Sequence, residues 1–493
     1  MGIVARQSIK NTIYSYLGVL IGTIYMVFMV PKIFVDNPEY WGALQLIMSY
    51  VLILLSFAML GMPNTFIRFY PVFKEKRIGD FLFFGIIASH IGFFVVSILF
   101  YFLKDYLINK NDQSNLLFLK YFPYIFLILY AEIIFYILLN YARIFLKTSF
   151  PTFLKDTFLK GWTLLLIVAF WLKWITFGNL MFLYFTGYLI HALLMVGYLI
   201  KLKIMNIKIS LYIFKSNYIK DILFYSFFSL LNGGAAILIG RIDIVMVGKI
   251  IDLEHVAYYA TALLFITVLQ VPVRSMNTIV MPILSDFISR DSDELKQLYK
   301  KSVINLTFTV GFIYLFIILN INEFMIILGD KFGQIKYVVI LLATAKFFES
   351  INSLNPGIIV LSKYYKLDIV FQISLLLIAV ITNYLLIPKF GMEGAAIATV
   401  ISIFSVGIIR ALFVYNKYGL SIIEKEVMYI ILFFIVLIFL YGFFKFNINV
   451  YLSIFLKSGI LTVLYISFLI ITKFSKDINN FIFNMLKFNF LKK

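Results

Sequence analysis

Cysteine is absent from the 493 residues, so neither a disulfide framework nor a thiolate metal site can form. Histidine occurs only three times, at His90, His191 and His255, and no His-Glu-x-x-His stretch is present, so no metal site is expected. A Gly-x-x-x-x-Gly-Lys-Ser/Thr loop is missing too, which removes the recognisable phosphate cradle of an ATP-hydrolysing protein. Charged residues are scarce at 14%, against roughly 25% in an ordinary soluble domain. No polar segment is longer than about 20 residues, leaving no room for a soluble catalytic domain. These absences exclude most enzyme classes, and no cofactor is called for.

What is present is apolar. Hydrophobic residues make up 62% of the chain and aromatic ones 19%, gathered in runs of the length a helix needs to cross roughly 30 Å of hydrocarbon. Fourteen such runs can be read, from 11–31 to 450–472, with none of the ten-residue alternation of a membrane barrel. The expected fold is an all-α integral membrane protein of about 14 transmembrane helices.

The net charge of +19 is mostly topology. With the N-terminus placed in the cytoplasm, inside segments hold 28 Lys plus Arg and outside loops nine. That bias puts both termini inside and needs no nucleic acid as partner. Residues 201–220, "KLKIMNIKISLYIFKSNYIK", carry five lysines and no acid, which suits an amphipathic helix on an anionic leaflet of membrane lipids. This linker separates an N-terminal lobe, 1–200, from a C-terminal lobe core, 221–416, followed by spans 13 and 14 in 417–475. The tail 476–493 interleaves Phe, Ile and Leu with Lys and Asn and reads as an interfacial helix.

An internal repeat supports the two lobes. "MVPKIFVDNPEYWGALQLIMSYVLILLSFAMLGMPNTFIRFYPVF", 29–73, aligns with "MVGKIIDLEHVAYYATALLFITVLQVPVRSMNTIVMPILSDF", 246–287, with small gaps. An even number of spans separates the two, so the repeats are parallel, giving pseudo-symmetric seven-helix lobes around a central cavity.

The segment "GRIDIVMVGKIIDLEHVAYYATALLFITVLQVPVRSMNTIVMPILSDF", followed by "DELKQLYKKS", together with "EYWGALQL" and the seven-plus-seven plan, resembles the polysaccharide transporter and O-antigen flippase branch of the MOP (MATE-like) superfamily. The resemblance implies a flippase in the bacterial cytoplasmic (inner) membrane. It would move an undecaprenyl-diphosphate-linked oligosaccharide by alternating access for polysaccharide biosynthesis, driven by a proton or sodium gradient. Lipid II flippases and multidrug antiporters of the same superfamily share the layout and stay open as alternatives. A glycosyltransferase or polymerase is disfavoured, because "DSD", 291–293, reads as the capped start of a charged helix, with Ser292 or Asp293 at its cap.

Charges inside the spans are the candidate site. Arg68, Lys120, Arg241, Arg274, Lys346 and Lys457 fall there, with Glu132, Asp243 and Glu349. At the bilayer centre each costs on the order of 2.5–3.5 kcal/mol, which argues for an interior position. Only eight of the 43 basic residues are arginines, yet Arg68, Arg241 and Arg274 are among those in spans. Arginine keeps its charge when buried and grips phosphate bidentately. Arg241, Arg274, Arg68 and Lys120 are therefore candidates for binding the diphosphate or an acidic sugar. Asp243 would pair with Arg274 or Lys346, and Lys346 with Glu349 at i,i+3. Glu132 stands alone and could couple to protons. The bland alternatives are snorkelling of Arg241 and Arg68 to an interface and a hydrogen-bonded structural role for Glu132. The breakers "LGMPN", 60–64, and "LNGGAAILIG", 231–240, are either bending points or close-packing sites.

Overall fold

Helices form wherever the sequence runs apolar, because lipid leaves backbone groups no partner outside their own helix, and they run through Pro71, Pro282 and Pro388. The computed structural model describes residues 3–73, 77–107, 113–205, 207–210, 212–290, 294–441 and 448–474, and among these the regular structure is entirely helical. The expected cap residues Ser292 and Asp293 and the tail 476–493 lie outside the described residues.

Nine described helices are long and apolar enough to cross a membrane. Eleven qualify when the bent pairs Leu253–Thr267 with Gln270–Ile288 and Lys336–Ile351 with Leu354–Leu361 are each one crossing. The 54-residue helix Tyr365–Tyr418 holds two crossings. It breaks at Gly391, whose φ of 59° ends one helical run and begins another. Arg410 Nη2 meets Asp368 Oδ1 at 3.0 Å, though residues 42 apart would lie about 60 Å apart on a straight helix. The element is a hairpin. Two further segments fail the length test only as single regular helices: 149–171, interrupted by a π stretch at Phe153–Phe158, and the 17-residue Lys425–Tyr441. Counting the hairpin as two and adding these segments gives fourteen apolar helical crossings among the described residues, and the chain is a multi-pass membrane protein.

Packing divides the chain into two units, Met1–Ala260 and Thr261–Lys493. The sequence-based halves meet at 201–220 instead, and the two divisions measure different things: one follows repeated topology, the other follows contacts. In the first unit the Pro123–Ile144 helix is the hub, packed against Pro38–Ala58, Met62–Phe73, Ile78–Leu107 and Phe177–Lys201. In the second, Glu294–Leu319 has that place, contacting Gln270–Arg290, Lys336–Ile351, Lys425–Tyr441 and Val450–Thr472. Its core is mainly Leu, Ile and Val around a few aromatic residues, with the Tyr465 hydroxyl donating to the Phe308 carbonyl at 2.6 Å and the Tyr299 hydroxyl to Asn355 at 2.7 Å. Outward faces carry exposed side chains such as Phe94, Leu99, Phe102, Tyr451 and Phe455, as helices bathed in lipid should.

The linker departs from expectation. Instead of one amphipathic helix, the described residues of 204–218 are non-helical apart from a turn of helix at Tyr212–Lys215. In Ile207-Lys208-Ile209-Ser210 apolar and polar residues alternate with period two, the strand period, and β-branched isoleucines lower helix propensity. Of the two breakers, "LGMPN" is a break: Leu60 and Gly61 adopt φ of 45° and 73° between Ala58 and Met62. The Gly233-Gly234 pair lies in unbroken helix, and the chain breaks seven residues further on.

Candidate functional site

That break sits at Arg241. The span expected at 222–248 is two helices, Ile219–Ile239 and Ile242–Ile250, with Gly240 and Arg241 between them. Arg241 has φ −131°, ψ −15° and starts the second helix. A discontinuous span exposes helix-end backbone groups at membrane depth, which is tolerated only within protein or beside a water-filled space. Arg241 is half-buried, in electrostatic range of Tyr184 and Tyr188 on the Phe177–Lys201 helix. Those two hydroxyls are 3.4 Å apart. Asp243, two residues on, is buried and accepts a hydrogen bond of 3.0 Å from the Tyr259 hydroxyl.

Glu132 belongs to the same cluster, within electrostatic reach of both Tyr184 and Tyr188. It is not isolated, as its sequence neighbourhood suggests: His191, fully buried, places Nδ1 3.7 Å from Glu132 Oε1. Lys155, exposed on the π stretch Phe153–Phe158, lies near Glu132 and holds its ammonium 5.2 Å from the Tyr136 ring centre.

Tyr136 also lines a cavity of about 250 Å³ within the first unit, whose polar lining includes Ser56, Asn64, Asn140, Arg143 and Ser229. Arg143 Nη1 donates to the Asn140 side-chain oxygen Oδ1 at 3.1 Å. Sequence reasoning counts Arg143 among the cytoplasmic-loop charges. The available signal was its type, an arginine in a lysine-dominated set of loops.

The other candidates have neighbours of their own. Arg68 is exposed, its guanidinium 4.3 Å from the Tyr225 ring centre, and Lys120 is exposed beside Tyr121. In the second unit Arg274 is exposed and donates to Gln270 at 3.1 Å. Lys346 and Glu349 meet at 2.5 Å on one helix face, with Glu349 half exposed at 50%. Such an exposed pair contributes little, so Lys346→Ala is expected to change stability by less than about 1 kcal/mol, as read by thermal unfolding in detergent. Two buried ion pairs in the second unit escaped the sequence reading, Arg410 with Asp368 and Lys457 with Glu323. Among the described residues no three His, Cys, Asp or Glu side chains could jointly hold a metal.

No protein-family model and no curated protein matches the sequence. Solved structures do match. A lipid II flippase MurJ in an inward closed conformation is 16% identical, with a TM-score of 0.74, covering 94% of this chain and 99% of that one. An inward-facing multidrug resistance MATE transporter of the MOP superfamily is 13% identical, with a TM-score of 0.66, covering 82% and 98%. A MOP-superfamily transporter from Pyrococcus furiosus, described as having a binding pocket of reversed polarity, is 15% identical, with a TM-score of 0.59, covering 85% and 96%. At these identities the likeness is one of architecture: the chain has the fold of MOP-superfamily transporters and flippases.

Proposed function

We propose that the chain is a non-enzymatic flippase that moves an undecaprenyl-diphosphate-linked oligosaccharide across the bacterial cytoplasmic membrane by alternating access, with both termini cytoplasmic, to supply cell-surface polysaccharide such as O-antigen. The observation that carries this reading is Arg241, an arginine set at the break of a membrane span and half-buried among tyrosines. A permanent cation with a planar fork at that depth suits a diphosphate better than a cationic drug. Arg68, Lys120 and Arg274 are carried as further anion contacts, and Asp243, Glu132, Lys346 and Glu349 as coupling or charge-pairing groups. The positive-inside count of 28 against nine supports the orientation.

A second reading is the peptidoglycan precursor as cargo. It is favoured by the MurJ likeness, which spans 94% of this chain against 82% for the MATE transporter. One measurement separates the readings: native mass spectrometry of gently purified protein, with Arg241→Ala in parallel. A polyprenyl-diphosphate glycan adduct is expected on the wild type, its mass giving the glycan. Arg241→Ala should bind it roughly 10- to 100-fold more weakly, the effect of losing charge-assisted hydrogen bonds of about 1.5–3 kcal/mol. A mass that includes a peptide stem would select the peptidoglycan precursor. Bulk phospholipid alone on the wild type would overturn both readings and favour a drug antiporter.

A further inference from the structure

The least satisfied polar groups in the first unit lie next to one another. Glu132 Oε1 has no hydrogen-bond partner and neither ring nitrogen of His191 has a side-chain one, although Glu132 is 4% exposed and His191 fully buried. Their separation of 3.7 Å is too long for a hydrogen bond and short enough to become one by a small side-chain rotation. The Phe135 ring lies over His191 with centroids 3.5 Å apart and planes tilted by 31°, and Tyr188 meets it edge-on at 6.4 Å, so the imidazole is held in place between aromatic rings. A buried carboxylate with an oxygen left unbonded is costly enough to neutralise itself when it can. Here it can do so in two ways, by taking a proton or by facing an imidazolium.

We infer that Glu132 and His191 together bind one exchangeable proton, and that this is the ion whose gradient drives the transporter. The inference rests on reading the chain as an ion-driven flippase and names its coupling ion. With one proton the pair is neutral as a whole, whichever group carries it; without it, the pair carries a single negative charge. The groups facing that charge are Lys155 from the π stretch Phe153–Phe158, Tyr136 from the helix of Glu132, and Tyr184 and Tyr188 from the helix of His191. Beyond these, Tyr25 adjoins Tyr188, Arg241 adjoins Tyr184, and Arg143 adjoins Tyr136. Tyr136, one helical turn from Glu132, lines the cavity, so the cavity is the side from which a proton reaches the pair. Sodium fits poorly: hard cations take several oxygen ligands, and this pair offers one carboxyl group and two nitrogens.

Infrared difference spectroscopy of the full chain in phospholipid nanodiscs, between mildly acidic and mildly alkaline pH, reads the site directly. A protonated-carboxyl C=O band is expected to appear on acidification, to vanish in Glu132→Gln, and to change frequency in His191→Asn. A wild type with no such band would overturn the inference. In proteoliposomes, undecaprenyl diphosphate added outside should provoke proton movement in the wild type and not in Glu132→Gln, which should still bind the lipid by native mass spectrometry. If Glu132→Gln still moves protons, the pair is not the coupling site and the inference falls. If the band titrates and the wild type ignores the lipid, the proton site stands and the flippase reading is the one that fails.

Discussion

Lys457→Met alone is expected to destabilise the protein by about 3–5 kcal/mol, whereas Lys457→Met combined with Glu323→Leu should return close to wild-type stability. Lys457 lies in the Val450–Thr472 helix, and its ammonium meets Glu323 Oε1 from the helix Ile321–Gly333. The Ser453 hydroxyl donates to the same oxygen at 2.9 Å, and the Tyr441 ring centre is 4.9 Å from the ammonium. The two side chains are 8% and 11% exposed, so removing Lys457 leaves the Glu323 charge buried with, among the described residues, the Ser453 hydroxyl to answer it. Removing both takes away the desolvation cost along with the attraction. Thermal and chemical unfolding in detergent would decide it: a double variant as unstable as the single one would mean that packing, not charge, sets the cost.

That pair also shows where reading the sequence stops. Helix periodicity brings together residues three or four apart, so Lys346 with Glu349 is legible from spacing alone. Glu323 and Lys457 are 134 residues apart and Asp368 and Arg410 are 42 apart; only the packing of separate helices makes them neighbours. Glu132 and His191 belong to this second kind. The crossings themselves are legible because each needs only a run of apolar residues of sufficient length. The interruptions are not. Gly233-Gly234 has the stronger sequence signal, yet the helix runs through it and breaks at Gly240-Arg241. A glycine permits a break, and the surrounding packing decides whether one occurs.

Gly42→Val is expected to abolish the folded protein or to cost more than the roughly 1–3 kcal/mol of ordinary overpacking. Gly42 stands in "EYWGALQL", and a Cβ there would lie 1.8 Å from the Leu253 carbonyl oxygen and 3.3 Å from the Ala257 backbone nitrogen. Both obstacles are backbone atoms of the Leu253–Thr267 helix, which cannot rotate away as a side chain would. Gly42 belongs to the first copy of the repeated segment and Leu253 to the second, so the two stretches that carry the family resemblance touch each other here. The glycine is therefore required by close helix packing, and its place in the motif says nothing about ligand. Gly197→Ala is the control: a Cβ there meets nothing within 4 Å, and helix propensity favours alanine by about 1 kcal/mol. Monodispersity and melting temperature in detergent should separate the two widely. Equal behaviour would mean that the helices can part at Gly42 at little cost, and the close approach would then be incidental to the fold.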